Sequence, residues 1–229
     1  MEITRVCRPA ALAAVLAALL ALPNVSGAQS APAPELRFLF AFGAVTGPED
    51  KPKLVAVQNE TVLRSGDRLK LFIEPKTGMS VYLFHLAADG DLTVIHPAAG
   101  QAAALAPGAP VFVPEAASWL QLDQQTGTEK FHLLVSARRL EPLEGLLARH
   151  ATLTEKSALQ SSAEAILNEV KQLRQKSRNL AAPAEKPVRI GGSLRGPEGA
   201  GVLPDITRLA ADITAAGGFY SRTFTIDHR

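Results

Sequence analysis

The chain is poor in the residues that most often announce a function. Of its 229 residues one is cysteine (Cys7), one is tryptophan and two are tyrosine. A lone thiol excludes an internal disulfide framework and a multi-cysteine metal site, and a chain of this length buries an adequate core without cross-links. Charge of one sign is lacking too, with 24 Lys and Arg against 22 Asp and Glu. That balance leaves no electrostatic footprint for nucleic acid or an anionic membrane, and the nearest basic clusters, Arg138-Arg139 and residues 171–178, read as solvated faces. There is no GxSxG elbow and no HExxH. Ser136 sits in a strand-like LLVSA run as a small residue. The one glycine-rich run, IGGSLRG at 190–196, is followed by Pro197, Gly199 and Gly201, so no helix starts where a phosphate cradle needs one. No catalytic residue and no cofactor is expected.

Long apolar runs are also scarce, and the one present lies at the beginning. Arg5 and Arg8 precede an uncharged Ala/Leu/Val run over 10–22, and Pro23 and Asn24 then break it before Ser26-Gly27-Ala28. A basic start, an apolar run and small residues at the end are the parts of a secretory signal peptide. The run is shorter than the roughly 20 residues of a spanning helix. Residues 1–28 therefore read as a cleaved leader, with cleavage between Ala28 and Gln29. Cys7 precedes the apolar run and would be lost with the leader, so it is not a lipid-attachment cysteine. The expected location is the periplasm or the exterior, with no stable membrane anchor after cleavage.

What is present is β-rich. After a Pro/Ala tether (29–35), residues 36–140 read as apolar strands punctuated by turn residues. Asp89-Gly90 favours a tight hairpin between 81–87 and 92–96. From 152 to about 179 the period becomes helical: Leu159, Ala163, Ile166, Val170 and Leu173 share one face, and Thr152 and Glu155 have capping-box spacing. The segment 141–180 is thus helical, packed on the β core or acting as a partner or self-association seam. Residues 181–205 are a Pro/Gly-rich connector. Residues 206–229 hold a short helix over 206–213 and a last strand, with Tyr220, Phe224 and Ile226 on one face, that returns to the sheet. The expected fold is an antiparallel β-sandwich or open barrel of about eight or nine strands, with one long amphipathic helix inserted before the C-terminal strand.

Histidine offers the remaining candidate chemistry. A two-residue Asp89-Gly90 turn would pair Leu83 with His96 and His85 with Val94, making His85 and His96 diagonal neighbours roughly 7 Å apart. His132 or Glu74 would have to supply a third ligand, as catalytic zinc requires. These are weak metal candidates, and the favoured reading is half-buried strand residues. Trp119 with Phe112, Tyr82 and Phe84 could form an aromatic patch for a sugar or peptide, although alternating strand aromatics more often fill a core.

The strings LRSGDRLKLFIEP (63–75), VYLF (81–84), DGDLTVIHP (89–97) and GTEKFHLLVS (127–136) resemble the bacterial domain of unknown function 4384. Its members show an sGDrl start, a vYlf/dadG hairpin and a GtE…lvSa strand. The tail FYSRTFTIDH (219–228) is similar to the ending of stand-alone exported members. The resemblance implies an extracytoplasmic β-rich module with no assigned catalytic residues and no requirement for histidine at 85 and 96. The combined expectation is a non-enzymatic binding module with an envelope protein as partner, engaged through a sheet edge, a loop face or the helix residues Leu159, Ile166, Val170 and Leu173. The alternatives are a metal-dependent or hydrolytic envelope enzyme using His85 and His96, and a structural subunit that self-associates through the helix.

Overall fold

The computed structural model describes residues 34–98, 100–115, 117–177, 184–187 and 204–229. The leader, the Ala28/Gln29 cleavage position, most of the tether, the glycine-rich run and most of the connector lie outside the described residues. The strands are β1 (Leu36–Thr46), β2 (Lys53–Ala56), β3 (Thr61–Leu63), β4 (Arg68–Pro75), β5 (Met79–Leu86), β6 (Leu92–His96), β7 (Ala104–Leu105), β8 (Val111–Val113), β9 (Leu120–Gln121) and β10 (Gly127–Ser136). Helices α1 (Glu141–His150) and α2 (Lys156–Lys176) follow, then β11 (Ala184–Pro187), a 3-10 turn (Ile206–Leu209), β12 (Ala211–Ala215) and β13 (Phe219–His228).

These strands form two sheets. The first runs β11-β12-β1-β4-β8, with β2 on β1 and β9 on β4; the second runs β3-β13-β10-β5-β6, with β7 on β5. All pairings are antiparallel except β3 with β13. Period-two alternation decides which side chains meet. Phe38, Phe40 and Phe42 of β1 and Leu69, Leu71 and Ile73 of β4 face Val81 and Leu83 of β5, Phe131, Leu133 and Val135 of β10, and Tyr220, Phe224 and Ile226 of β13 in one buried core. Ring contacts cross between the sheets, with Phe42 5.3 Å from Phe131 and 5.0 Å from Phe224, and Phe38 5.4 Å from Tyr220. The last strand returns to the sheet, as its alternation predicts.

Both outward faces are apolar, and each is covered differently. Tyr82, Phe84 and Leu134 of the second sheet pack under Leu143, Leu147, Ile166 and Val170 of the two helices. Phe72 and Ala41 of the first sheet pack under Ile206 and Ala210. Gly43 permits the second contact, because a Cβ there would lie 2.8 Å from Leu209. Among the described residues no helix is long and apolar enough to cross a membrane.

Several local expectations are corrected. Thirteen strands stand among the described residues, more than the eight or nine expected, because β7 and β9 are only two residues long and β11 and β12 fall in stretches read as connector and short helix. The single long helix is two. The Thr152–Glu155 capping box does not form: Thr152 Oγ1 donates to the Arg149 carbonyl at the end of α1, and α2 starts after Glu155 without a side-chain cap. Pro142, at the first turn of α1, is compatible with a helix start and not with its middle. The short helix expected over 206–213 is a 3-10 turn followed by β12, because β12 finds a long partner in β1 from Leu36↔Ala215 to Phe40↔Ala211. The connector contains strand β11, which pairs with β12.

The β5–β6 hairpin forms with a three-residue loop instead of two. Ala87 N–H donates to the Asp91 carbonyl, and Gly90 takes a left-handed φ of 92°. A bulge between Leu83 and Phe84 then resets the register, so Leu83 still pairs with His96 while His85 pairs with Thr93.

Candidate functional site

Alternation along β4 sends Leu69, Leu71 and Ile73 inward and Lys70 and Phe72 outward. On that face β8 places Phe112 directly across from Phe72, with the rings 5.2 Å apart. The loop from β8 to β9 brings Trp119 to the other side of Lys70. The ammonium lies 5.4 Å from the centroid of each ring and donates to the Ser118 carbonyl at 2.8 Å. Only 5% of Lys70 is exposed, and burial lowers its pKa. A cation within about 6 Å of a ring face is attracted by the ring quadrupole.

Beside this cation opens a cleft of about 430 Å³, walled by Lys70, Phe112, Trp119, Pro204, Asp205 and Ile206. The Asp205 carboxylate is engaged in capping the 3-10 turn, accepting from the N–H and hydroxyl of Thr207. A half-buried indole, a phenyl ring and one recessed ammonium form a wall suited to a ligand with a flat or apolar body and an anionic end. Phe112 and Trp119 of the expected aromatic patch thus come together. Tyr82 and Phe84 do not join them, since both are fully buried on the other sheet beneath the helices. Lys70 was not singled out in the sequence; the visible signal was a lysine inside the apolar run RLKLFIEP.

The three candidate histidines occupy separate environments. His85 Nε2 lies 2.5 Å from Glu129 Oε2, and its ring stacks on Phe131. His96 is buried with Nε2 unpartnered, and burial lowers its pKa against the opposing influence of Glu115. His132, on the outward side of β10, stacks on Phe84 and contacts Arg174 and Thr223. Glu74 pairs with Lys76. Among the described residues no group of three His, Cys, Asp or Glu side chains is placed to hold a metal.

His85 instead belongs to a row that the sequence did not reveal. His85, Glu129 and His228 stand on the neighbouring strands β5, β10 and β13 at core-facing parity, near one end of the core. His228 Nδ1 is 3.7 Å from Glu129 Oε1, and His228 Nε2 shares a 3.1 Å hydrogen bond with Ser65 Oγ in the turn after β3. The order Ser–His–Glu matches that of a hydrolase triad, but the fit is incomplete. His228 Nδ1 makes no hydrogen bond. The Ser65 N–H is directed to the Arg229 carbonyl and the Gly66 N–H to the Leu122 carbonyl, so neither turn amide is left to hold an oxyanion. The row fastens the end of β13 to the β3–β4 turn.

The helix residues proposed for partner contact are largely inside: Ile166 and Val170 are buried, and Leu159 and Leu173 are half-buried.

The fold and the cleft define a class, a mainly β protein with two sheets, two helices and a recessed cation between aromatic rings. Residues 62–139 match the family model described as Domain of unknown function (DUF4384), so the chain carries a DUF4384 domain over that stretch. No curated protein matches the chain. The matched residues run from within β3 to just past β10 and include Lys70, Phe112, Trp119, Ser65 and Glu129. Strands outside them complete both sheets, β1 alongside β4 and β13 alongside β10.

Proposed function

We propose that this chain is a non-enzymatic binding module with a β-sandwich architecture, exported to the periplasm or the exterior, that holds an envelope protein partner in the Lys70–Phe112–Trp119 cleft. The observation that carries this reading is the recessed Lys70 ammonium between two aromatic rings at an open cleft. An acidic side chain or C-terminal carboxylate of the partner would meet the ammonium, and its neighbouring residues would lie against the rings. The burial of Ile166 and Val170 favours the cleft over the helix as the contact, and weakens self-association through the helix seam.

Trp119 is the only tryptophan in the chain, so its emission reports on the cleft directly. The test is cross-linked capture of envelope proteins by tagged protein from Gln29 onward, run beside a Trp119→Ala variant. A partner captured by the parent, lost in the variant and able to shift Trp119 emission when added back supports the reading. Equal capture by both proteins refutes the cleft as the contact.

The hydrolytic alternative rests on Ser65, His228 and Glu129 in place of His85 and His96. A fluorophosphonate probe that labels Ser65, and fails to label a Ser65→Ala variant, would favour that alternative over a pure binding role.

A further inference from the structure

We propose that the groove between α2 and the outward face of the second sheet is a binding site for a small oxyanion, a carboxylate or phosphate group, held by Arg174, His132 and Lys171. This site lies on the opposite sheet from the Lys70 cleft and does not depend on that reading.

Two groups in this groove lack the partners their chemistry calls for. The first is Arg174. Its Nε donates to Ser221 Oγ at 2.8 Å and its Nη2 to Thr223 Oγ1 at 2.6 Å, while Nη1 makes no hydrogen bond among the described residues. The guanidinium forms no ion pair with a carboxylate among the described residues, although it is partly removed from water and burial lowers its pKa. A half-buried guanidinium ordinarily sits against a carboxylate or phosphate, which its planar fork matches.

The second is His132. Thr223 Oγ1 accepts from Arg174 and lies 3.2 Å from His132 Nδ1, so its own hydroxyl proton is free for that nitrogen. Arg174 Nη2 approaches the same nitrogen at 3.5 Å. With two donors directed at Nδ1, the imidazole proton belongs on Nε2. That Nε2 is buried without a hydrogen-bond partner, in a residue only 6% exposed. Burial and the charges of Arg174 and Lys130 push this imidazole down to about 4, which keeps it a neutral donor at ordinary pH.

The groove is therefore lined by a guanidinium edge, the buried His132 imidazole with its unpartnered Nε2 and, at its mouth, the exposed Lys171. Gln175 adds an amide, and Leu167 and Val170 form the apolar side. Its volume is about 230 Å³. That is below the range typical of drug-sized ligands and suits a phosphate, or a carboxylate with a short tail. The two cations and the unpartnered imidazole N–H are donors, and the Gln175 amide can turn its own NH2 the same way, so the complementary ligand is an acceptor-rich anion. Arg174 also pins α2 to β13 through Ser221 and Thr223, and a purely structural staple would show the same two hydroxyl contacts. It would not account for the bare Nη1 edge or the orphaned Nε2.

The experiment titrates the purified folded protein with sodium phosphate and, separately, with sodium acetate, at ionic strength held constant with sodium chloride. The His132 side-chain nitrogen resonances and the melting temperature are followed. The expected result is a saturable shift of His132 Nε2 and a rise in melting temperature with one of the two anions, and which anion acts identifies the ligand group. Arg174→Gln should weaken binding by about tenfold or more, as loss of a charge-assisted fork would. Should Arg174→Gln fail to fold, His132→Phe and Lys171→Gln decide instead. His132→Phe keeps the stack on Phe84 and removes the donor, and Lys171 is exposed; each should weaken the anion-dependent rise in melting temperature severalfold. No saturable response to either anion, or an undiminished response in these variants, overturns the proposal.

Discussion

On the second sheet, Tyr82, Phe84 and Leu134 point away from the core, and each is 0% exposed because α1 and α2 lie over them. On the first sheet, Phe72 is buried under Ile206 and Ala210, but its cross-strand neighbour Phe112 is only half-buried and Trp119 likewise. Both faces start from the same alternation of apolar residues on strands buried on their inner side. One received two helices with a matching apolar stripe, and the other received a four-residue 3-10 turn that buries Phe72 and leaves Phe112 and Trp119 half-buried. Apolar residues on a strand's outward face thus become core or binding surface according to what the rest of the chain lays over them.

The largest effect that would break this comparison is on stability. Phe84→Ala removes a fully buried ring from beneath the helices and should cost about 3–5 kcal/mol. Phe112→Ala, on the open face, should cost no more than about 1–2 kcal/mol, because the side chain remains partly in water in the folded state. Urea unfolding of both variants checks the pair, and equal losses would mean that the two faces are equally structural.

A somewhat smaller effect depends on pH. His132 is held down to about 4 from 6.5, first by burial, then by Arg174 and Lys130, with a minor contribution from His85. A histidine whose folded pKa lies below its unfolded one takes up its proton more readily unfolded. Stability from this group is therefore complete above pH 6.5 and declines as pH falls towards 4, by at most about 3 kcal/mol. Across that window the parent should lose up to about 3 kcal/mol of unfolding free energy relative to His132→Phe as pH falls towards 4. Parallel curves would show that this imidazole does not titrate as its surroundings require.

Much of this architecture could be read along the chain, and the failures have physical reasons. The return of β13 was legible because Tyr220, Phe224 and Ile226 keep strict alternation. The helical seam was legible from Ile166 and Val170, though not the division of the helical segment into α1 and α2, which falls at residues 151–155. Strand β12 was unreadable as a strand because the Ala-rich 210–215 stretch favours a helix locally, and only pairing with β1 overrides that preference. Phe112 and Trp119 were visible as aromatics, while their meeting around Lys70 depended on the β4–β8 and β4–β9 registers. The His85–Glu129–His228 row joins residues up to 143 positions apart through three strands, and no local pattern encodes such a juxtaposition.

Beneath the helices, the smallest test on the covered face concerns hydrogen bonding alone. Tyr82 OH donates to Glu144 Oε1 at 2.7 Å and accepts from the Leu140 N–H at 2.9 Å, at the start of α1. Burial is the main reason its phenol is pushed up to about 12. Tyr82→Phe keeps the packing and leaves a part-buried N–H without its acceptor, so it should cost about 1–2 kcal/mol. Denaturant unfolding reads this directly, and a neutral outcome would mean that water replaces the phenol and that the covered face is wetter than its burial indicates.

The open face should give the opposite signature, a change in binding with almost none in stability. Lys70→Met keeps the length of the side chain between Phe112 and Trp119 while removing a charge that is 5% exposed. Taking a buried cation out of a protein relieves a desolvation penalty, and it forfeits the hydrogen bond to Ser118 and the attraction of the rings. These terms oppose each other, so the net change should be within about 1 kcal/mol of zero. Partner capture and the response of Trp119 emission should nevertheless be lost, since the variant removes the positive charge that the proposed anionic group would meet. A Lys70→Met protein that loses several kcal/mol of stability would make Lys70 a structural residue of the first sheet. The open face would then be no more a binding surface than the covered one.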